Sequence, residues 1–471
     1  MVGLPIVMGR VLSGQDIVNY LIIAQQTAAN FREGLFFPAW AGGFNAGYGS
    51  PLLMFFPPLT GAVNAILILL GIPAIIGVSS MALVAHFLSG AAFYGWLRAA
   101  GVRSVALPAA IVYATAPYRL VNLYLRSALA EHWAFIWPPL ILWVASDSRL
   151  RAVPRVTLLS LAVAALLLTN TPLAVHFGIG LAAWFLVSQR LRGLRPQILI
   201  GVALGFAMAS FTLVPQALAA RFLNLDLCFG PAATRLRPSA NTLFAAGFER
   251  GNLNTFFSLT LLATFFLAVL AFVLLSPHKK RGLAERGLLA ASILCVLITL
   301  GPAGPVWDVL PIVSHLQFPW RITALLTLLA AAMVASLKHR QAWLVAALAA
   351  ALSIPFASWD RTVSRSVFSA PEPPVPPAGT VLPDPHTAWE ASSGGWYWRH
   401  DNLVELCLVP LSMPGFFFDE FRGTASARLD AVRHRPATVV GDPAAVIRIL
   451  RWGQTVREVE VESDRGGTLL W

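Results

Sequence analysis

Long apolar runs alternate with short polar connections along most of this chain, and after every second run the connection is basic. Ten such runs lie near 75–97, 104–117, 133–146, 156–169, 173–188, 197–217, 255–276, 286–300, 321–337 and 341–357. The basic connections are Arg98/Arg103, Arg149/Arg151/Arg155, Arg190/Arg192/Arg195, Lys279/Lys280/Arg281/Arg286 and Lys338/Arg340. A spanning helix needs about 20 apolar residues, so the flanks of the shorter runs must extend them. Short loops rich in Lys and Arg stay in the cytoplasm. The ladder therefore predicts ten spans, with 118–132, 170–172, 218–254, 301–320 and everything after about 357 outside.

The run 57–71 (PPLTGAVNAILILLG) breaks this parity if it spans. At about fifteen residues, opening on two prolines and carrying Thr60 and Asn64, it suits an interfacial or re-entrant helix lying along the outer surface. In residues 16–33, Ile17, Leu21, Ala24, Ala28 and Phe31 recur at helical spacing, with Gln25, Gln26 and Asn30 elsewhere. That pattern predicts a second amphipathic interfacial helix. The Gly-, Phe- and Pro-rich stretch 34–58 reads as a loop folding over a site. Residues 1–74 are thus an outer loop with interfacial helices, and an N-terminus outside without a signal peptide implies one further span upstream of Met1.

Residues 75–357 form the transmembrane helical domain. Residues 358–471 change character: a Pro-rich linker at 371–385 precedes alternating runs such as Val456 to Glu462, whose period of two fits strands. They predict a small β-rich extracytoplasmic domain, cut short at Trp471.

Composition agrees with a polytopic α-helical membrane protein. Of the 471 residues, 57% are hydrophobic and only 12% charged, against about 25% charged in a soluble domain. The net charge of +12 does not point to nucleic acid, because 14 of the 34 Lys and Arg sit in the five short loops. Cys228, Cys295 and Cys407 lack the spacing of a zinc site or a disulfide framework. No phosphate-binding glycine loop, HExxH or GxSxG motif occurs.

The candidate chemistry lies on the predicted outer side. Asp16 begins the first interfacial helix, and Glu131 sits where 118–132 enters the next span. An acid there can take a proton from a hydroxyl or hold a divalent cation beside a phosphate. Equally, Asp16 fits a helix N-cap and Glu131 a solvated boundary residue. Arg119 and Arg126 are unusual in an outer loop; they suit phosphate recognition, snorkelling to headgroups, or a pair with Glu131. Tyr118, Tyr124 and Trp133 read as interfacial belt aromatics. In Gln317-Phe-Pro-Trp-Arg321, Trp320 and Arg321 suit anchors at headgroup depth. His176, within a span, reads as a satisfied polar contact.

The order of these parts resembles bacterial GT-C-type membrane glycosyltransferases, and within them the YfhO-like group. The resemblance runs through Asp16–Gly34, Pro38-Ala-Trp40, Gly47-Tyr-Gly-Ser-Pro51, Phe55-Phe-Pro-Pro-Leu59, Pro117-Tyr118, Tyr124-Leu-Arg126 with Glu131, and Leu316 to Arg321. It implies a multi-pass protein of the bacterial inner membrane. Such a protein moves a sugar from a polyprenyl-phosphate donor at the outer leaflet to a cell-envelope glycan, lipid or protein acceptor. By position, Asp16 and Glu131 would be the catalytic acids. Arg119, Arg126, Tyr20, Gln317 and Arg321 would bind substrate, and a divalent cation, Mg or Mn, is one way to hold the donor phosphate. Tyr20 and Asn122 stand where relatives often carry His and an acid. Two other readings stay open: a non-catalytic envelope assembly protein, or a lipid or polysaccharide transporter.

Overall fold

The computed structural model describes residues 3–14, 16–41, 51–187, 193–219, 241–244, 253–274, 283–309, 316, 318–357, 362–364, 438–440, 446–452, 457–462 and 468–470. A helix lies at each of the ten apolar runs: Ala74–Ala99, Ala106–Thr115, Trp137–Ser146, Ala152–Thr169, Thr171–Val187, Arg195–Ala219, Leu253–Leu274, Leu283–Leu297, Thr323–Val334 and His339–Ala357. Among the described residues, four helices are long and apolar enough to cross a bilayer: Ala74–Ala99, Ala152–Thr169, Arg195–Ala219 and Phe256–Leu274. Their outward faces leave Phe87, Leu199, Phe206 and Phe266 exposed. Lipid covers such a surface at no cost, whereas water does not. Inside, small residues let backbones approach. A Cβ on Gly201 or Gly205 would stand 2.7 Å from Leu159 or Val163, so the helices Ala152–Thr169 and Arg195–Ala219 pack in close contact. These are the helices of a membrane-embedded protein.

The basic connections gather at one end of the bundle. Arg155 donates to Gln197 Oε1 at 2.8 Å and to the Asp147 carbonyl at 2.7 Å, joining the second and third. His339 Nδ1 meets the Ser104 carbonyl at 2.8 Å, joining the first and fifth. Gln341 donates to the Leu274 carbonyl at 2.8 Å, joining the fifth to the start of the fourth. Gly95 lies under the Trp143 ring, so the first and second are neighbours too.

A helix leaving the basic end must finish at the other, and contacts there draw in the N-terminal segment. Gln216 donates to the Met54 carbonyl at 2.8 Å. Leu243 N–H donates to the Thr299 carbonyl at 2.8 Å. The strand Arg10–Leu12 pairs antiparallel with Thr362–Ser364, which follows the last apolar helix. The Pro58–Leu69 helix has 12 residues; at about 1.5 Å per residue it is roughly 18 Å long, well short of a bilayer core.

Three expectations change. The helix Ile17–Arg32 is not simply amphipathic: Tyr20, Gln26, Thr27 and Asn30 are buried along with Ile17, Leu21, Ala24 and Ala28. It is sandwiched, with the Pro58–Leu69 and Ala74–Ala99 helices on it and Ala41, Leu52 and Leu53 against Ile22 and Ile23. Asn30 survives burial by donating to the Gln26 and Trp40 carbonyls. Next, 118–132 is no open loop. It is built from the helix Pro117–Leu120, a π-helix at Val121–Arg126 and the helix Leu129–Ala134. Tyr118 and Tyr124 are accordingly core residues rather than belt aromatics, while Trp133 is half-buried and donates to the Met81 carbonyl at 3.0 Å. Lastly, Trp320 and Arg321 are buried, not anchored at a surface, because Trp320 stacks on Phe257 with ring centroids 3.7 Å apart.

Most of 358–471 lies outside the described residues. Within it Val446–Trp452 pairs antiparallel with Arg457–Glu462, inside the alternating run singled out from the sequence, and Thr438–Val440 pairs with Thr468–Leu470.

Candidate functional site

Four charged side chains from positions 16, 126, 131 and 321 meet at the end of the bundle opposite the basic connections. They alternate in sign along one chain of contacts. Asp16 Oδ2 accepts from Arg126 Nη2 at 2.7 Å; Arg126 Nη1 reaches Glu131 Oε1 at 2.9 Å; the same oxygen accepts from Arg321 Nε at 2.8 Å. Two cations face two acids, so the group is neutral as a whole, which is what makes its burial tolerable.

Local backbone geometry aims Arg126. The π-helix Val121–Arg126 ends at Ser127, whose φ of 54° lies in the left-handed region. π-turns recur at functional sites because the wider turn redirects a side chain. Here Asn122 Oδ1 accepts from Arg126 Nη1 at 3.1 Å, and the Ala128 N–H donates to the Asn122 carbonyl. Ser127 Oγ accepts from the Gly14 N–H at 2.9 Å, and the Asp16 N–H donates to the Arg126 carbonyl at 2.6 Å. A Cβ on Gly14 would stand 2.7 Å from the Arg126 carbonyl carbon, so only glycine allows this approach. Main chain and side chain together clamp Asp16 to Arg126.

The two acids differ in access and in charge. Asp16 occupies the N-cap position of Ile17–Arg32 but makes no capping hydrogen bond; Arg126 has taken its carboxylate. Its side chain keeps 26% of its surface open, against 2% for Glu131. Protein still surrounds Asp16 on most sides, and burial pushes its carboxyl above the ordinary value against the opposing pull of Arg126. Burial acts on Glu131 in the same direction, but Arg126 and Arg321 together outweigh it and hold that carboxyl down at about 2. Glu131 Oε2 accepts from the Tyr118 hydroxyl at 3.2 Å, so both of its oxygens are engaged. Glu131 is therefore a fixed negative charge, while Asp16 is the acid able to exchange a proton.

Aromatic rings wall the cluster. Arg126 lies 5.1 Å from the Trp320 ring centroid and 5.9 Å from that of Phe257; Arg321 lies 4.9 Å from Phe318. Arg321 Nη1 donates to the Leu316 carbonyl at 3.2 Å. Tyr20, one turn along from Asp16, is buried in the same cluster as Ala130 beside Glu131 and meets Phe56 edge-on at 5.8 Å. Phe56 lines an apolar groove of about 290 Å³ that runs beside the same helix. Ile23, Thr27, Phe37, Leu168 and Phe211 line it further along.

Of the sequence candidates, Asp16, Tyr20, Arg126, Glu131 and Arg321 come together. Arg119 does not: it is fully buried on another side of its helix, donating to the Tyr113 carbonyl and to Ser89 Oγ. Gln317 lies outside the described residues. His176 is only half satisfied: Nδ1 sits 2.7 Å from the Pro172 carbonyl within its own helix, while Nε2 is buried with no partner among the described residues. Tyr118, Asn122 and Ser127 were missed as site residues. They carry no charge, and nothing in their spacing links them to residues 16 or 321.

A divalent cation does not fit this arrangement. Each acid is already bound by a guanidinium, both Glu131 oxygens are taken, and a metal beside Arg126 and Arg321 would meet like charge. Among the described residues no group of three or more His, Cys, Asp and Glu could hold a metal. Comparison with protein-family models, with characterised proteins and with solved structures finds no match for this chain.

Proposed function

We propose that this chain is a GT-C-type glycosyltransferase of the bacterial inner membrane, YfhO-like in its arrangement. On this reading it crosses the membrane ten times, with the charged cluster and a small β-rich C-terminal domain on the outer face. It moves a sugar from a polyprenyl-phosphate donor to a cell-envelope acceptor. One observation carries the reading: a partly open acid, Asp16, stands at the start of a helix whose side lines an apolar groove suited to a prenyl chain.

The chemistry asks little more of the protein. Asp16 takes the proton of an acceptor hydroxyl as its oxygen bonds to the sugar's anomeric carbon. The bond from that carbon to the phosphate oxygen breaks, and the electron pair leaves with the lipid phosphate. Arg321, whose Nη2 has no hydrogen-bond partner among the described residues, is the cation to meet that charge. Glu131 keeps both arginines oriented.

The test is complementation of a deletion strain with the full-length gene. Asp16→Asn is expected to abolish the envelope glycan that wild type restores, and Asp16→Glu to restore part of it. Loss of a positioned base is worth about 10²- to 10⁴-fold in rate. If Asp16→Asn and Glu131→Gln, both folded and in the membrane, leave the glycans unchanged, the assignment fails.

A further inference from the structure

The helices Pro117–Leu120 and Leu129–Ala134 present polar groups on two sides. Tyr118 and Glu131 face the cluster described above; Arg119 and His132 face away from it, toward His86 and Ser89 of the Ala74–Ala99 helix. Among the described residues this second group has no counter-charge. Arg119 is fully buried, and among the described residues no carboxylate bonds it. Its guanidinium has the Phe135 ring 4.8 Å away and the Tyr113 ring 5.1 Å away. Its two terminal nitrogens are spent on Tyr113 and Ser89, and Nε–H is buried without a partner.

The histidines repeat the pattern. His86 and His132 stack at 5.5 Å with an interplanar angle of 5°, one helical turn from Ser89 and within electrostatic reach of Arg119. His132 is buried with both ring nitrogens unpartnered, and His86 Nδ1 is unpartnered as well. Buried polar groups in folded proteins nearly always have partners. A buried guanidinium without a counter-ion is especially costly. Among the described residues Asp16 and Glu131 are paired with Arg126 and Arg321, and no acid is paired with Arg119.

We propose that Arg119, His132 and His86 form a binding site for a small inorganic anion of the halide class. The chemistry selects among ligands. A metal ion, which paired imidazoles otherwise suit, is opposed by the Arg119 charge. Water would satisfy the nitrogens but not the charge. A halide carries the single negative charge that one guanidinium balances, whereas a phosphate ester would bring more. Neutral imidazoles offer N–H donors to such an ion, and Arg119 Nε–H completes the set. The site is independent of the glycosyltransferase reading.

Radiolabelled chloride binding to the full-length protein in detergent, by scintillation proximity in gluconate buffer, tests this. The expected result is saturable binding of one chloride per chain, displaced by bromide but not by phosphate. Arg119→Gln is expected to abolish it, and His132→Phe, which keeps the stacking, to weaken it at least about tenfold. Arg321→Gln is expected to retain it. If Arg119→Gln does not fold, His132→Phe and His86→Phe decide the matter. Absence of saturable binding in wild type, binding unchanged in His132→Phe and His86→Phe, or displacement by phosphate as readily as by bromide would each overturn the halide site.

Discussion

Arg126 is the residue on which the charged cluster turns, since it alone touches both acids. Replacing it by Met leaves two carboxylates close together with Arg321 as their nearest cation. Removing one member of a buried pair costs about 3–5 kcal/mol, so a large drop in thermal midpoint is expected by light-scattering or fluorescence melting. The pH behaviour separates the acids. Glu131 has a folded value below its unfolded one, so its contribution to stability is complete above the ordinary Glu range and is lost as pH falls toward about 2. Asp16 shifts the other way, so a base-catalysed rate should fall on acidification at a pH above the ordinary Asp value of about 3.9. Glu131→Gln removes a like charge and should move that acid limb downward; Arg126→Met removes the pairing cation and should move it upward. A pH–rate profile in proteoliposomes checks both signs, and shifts in the same direction would sink the assignment of Asp16 as the base.

At the scale of elements, the approach of Gly14 and Asp16 to the π-helix sets the geometry, and Gly14 is its weak point. A side chain there collides with backbone at Arg126 and Ser127, not with a flexible tip that could yield. Gly14→Val is expected to cost about 1–3 kcal/mol, as overpacking does, and to separate Asp16 from Arg126, lowering activity with little change in membrane insertion. Ser127→Ala removes only the hydroxyl that accepts from Gly14, and should lose about 1 kcal/mol in the same melting assay. Neither effect follows from the sequence, and the reason is physical. Hydrophobic periodicity reports which residues avoid water, so the ten apolar helices and the short Pro58–Leu69 helix could be placed from it. It carries no record of contacts between residues 110 positions apart, such as Asp16 with Arg126. The rule that outer loops lie in water misread 118–132, because this largely apolar stretch, whose Arg126 and Glu131 pair with each other and with Asp16 and Arg321, folds into the core instead. Arg119 and Arg126, seven residues apart and alike in composition, were equivalent candidates until the π-turn and the two helices around it sent them to separate clusters.

For the molecule as a whole, the basic ladder and the charged cluster occupy opposite ends of one bundle, and this fixes their relation before any membrane is considered. The links Arg155–Gln197, His339–Ser104 and Gln341–Leu274 gather the ladder at one end. Gln216–Met54 and the pairing of Arg10–Leu12 with Thr362–Ser364 tie the chain's first residues to the other. Orientation then hangs on a single choice: if Lys- and Arg-rich loops remain in the cytoplasm, Asp16 and the groove face outward, where a lipid-linked sugar would be consumed. Impermeant thiol labelling in whole cells measures that choice. With Cys228, Cys295 and Cys407 replaced by Ser, a cysteine at the exposed Arg32 should react from outside. One at Arg149, whose side chain is 81% exposed, should react only after the membrane is permeabilised. Reversal of both would turn the cluster toward the cytoplasm, away from any outer-leaflet donor. Labelling of both from outside would break the ladder itself, because two ends of one bundle cannot share a face of the bilayer.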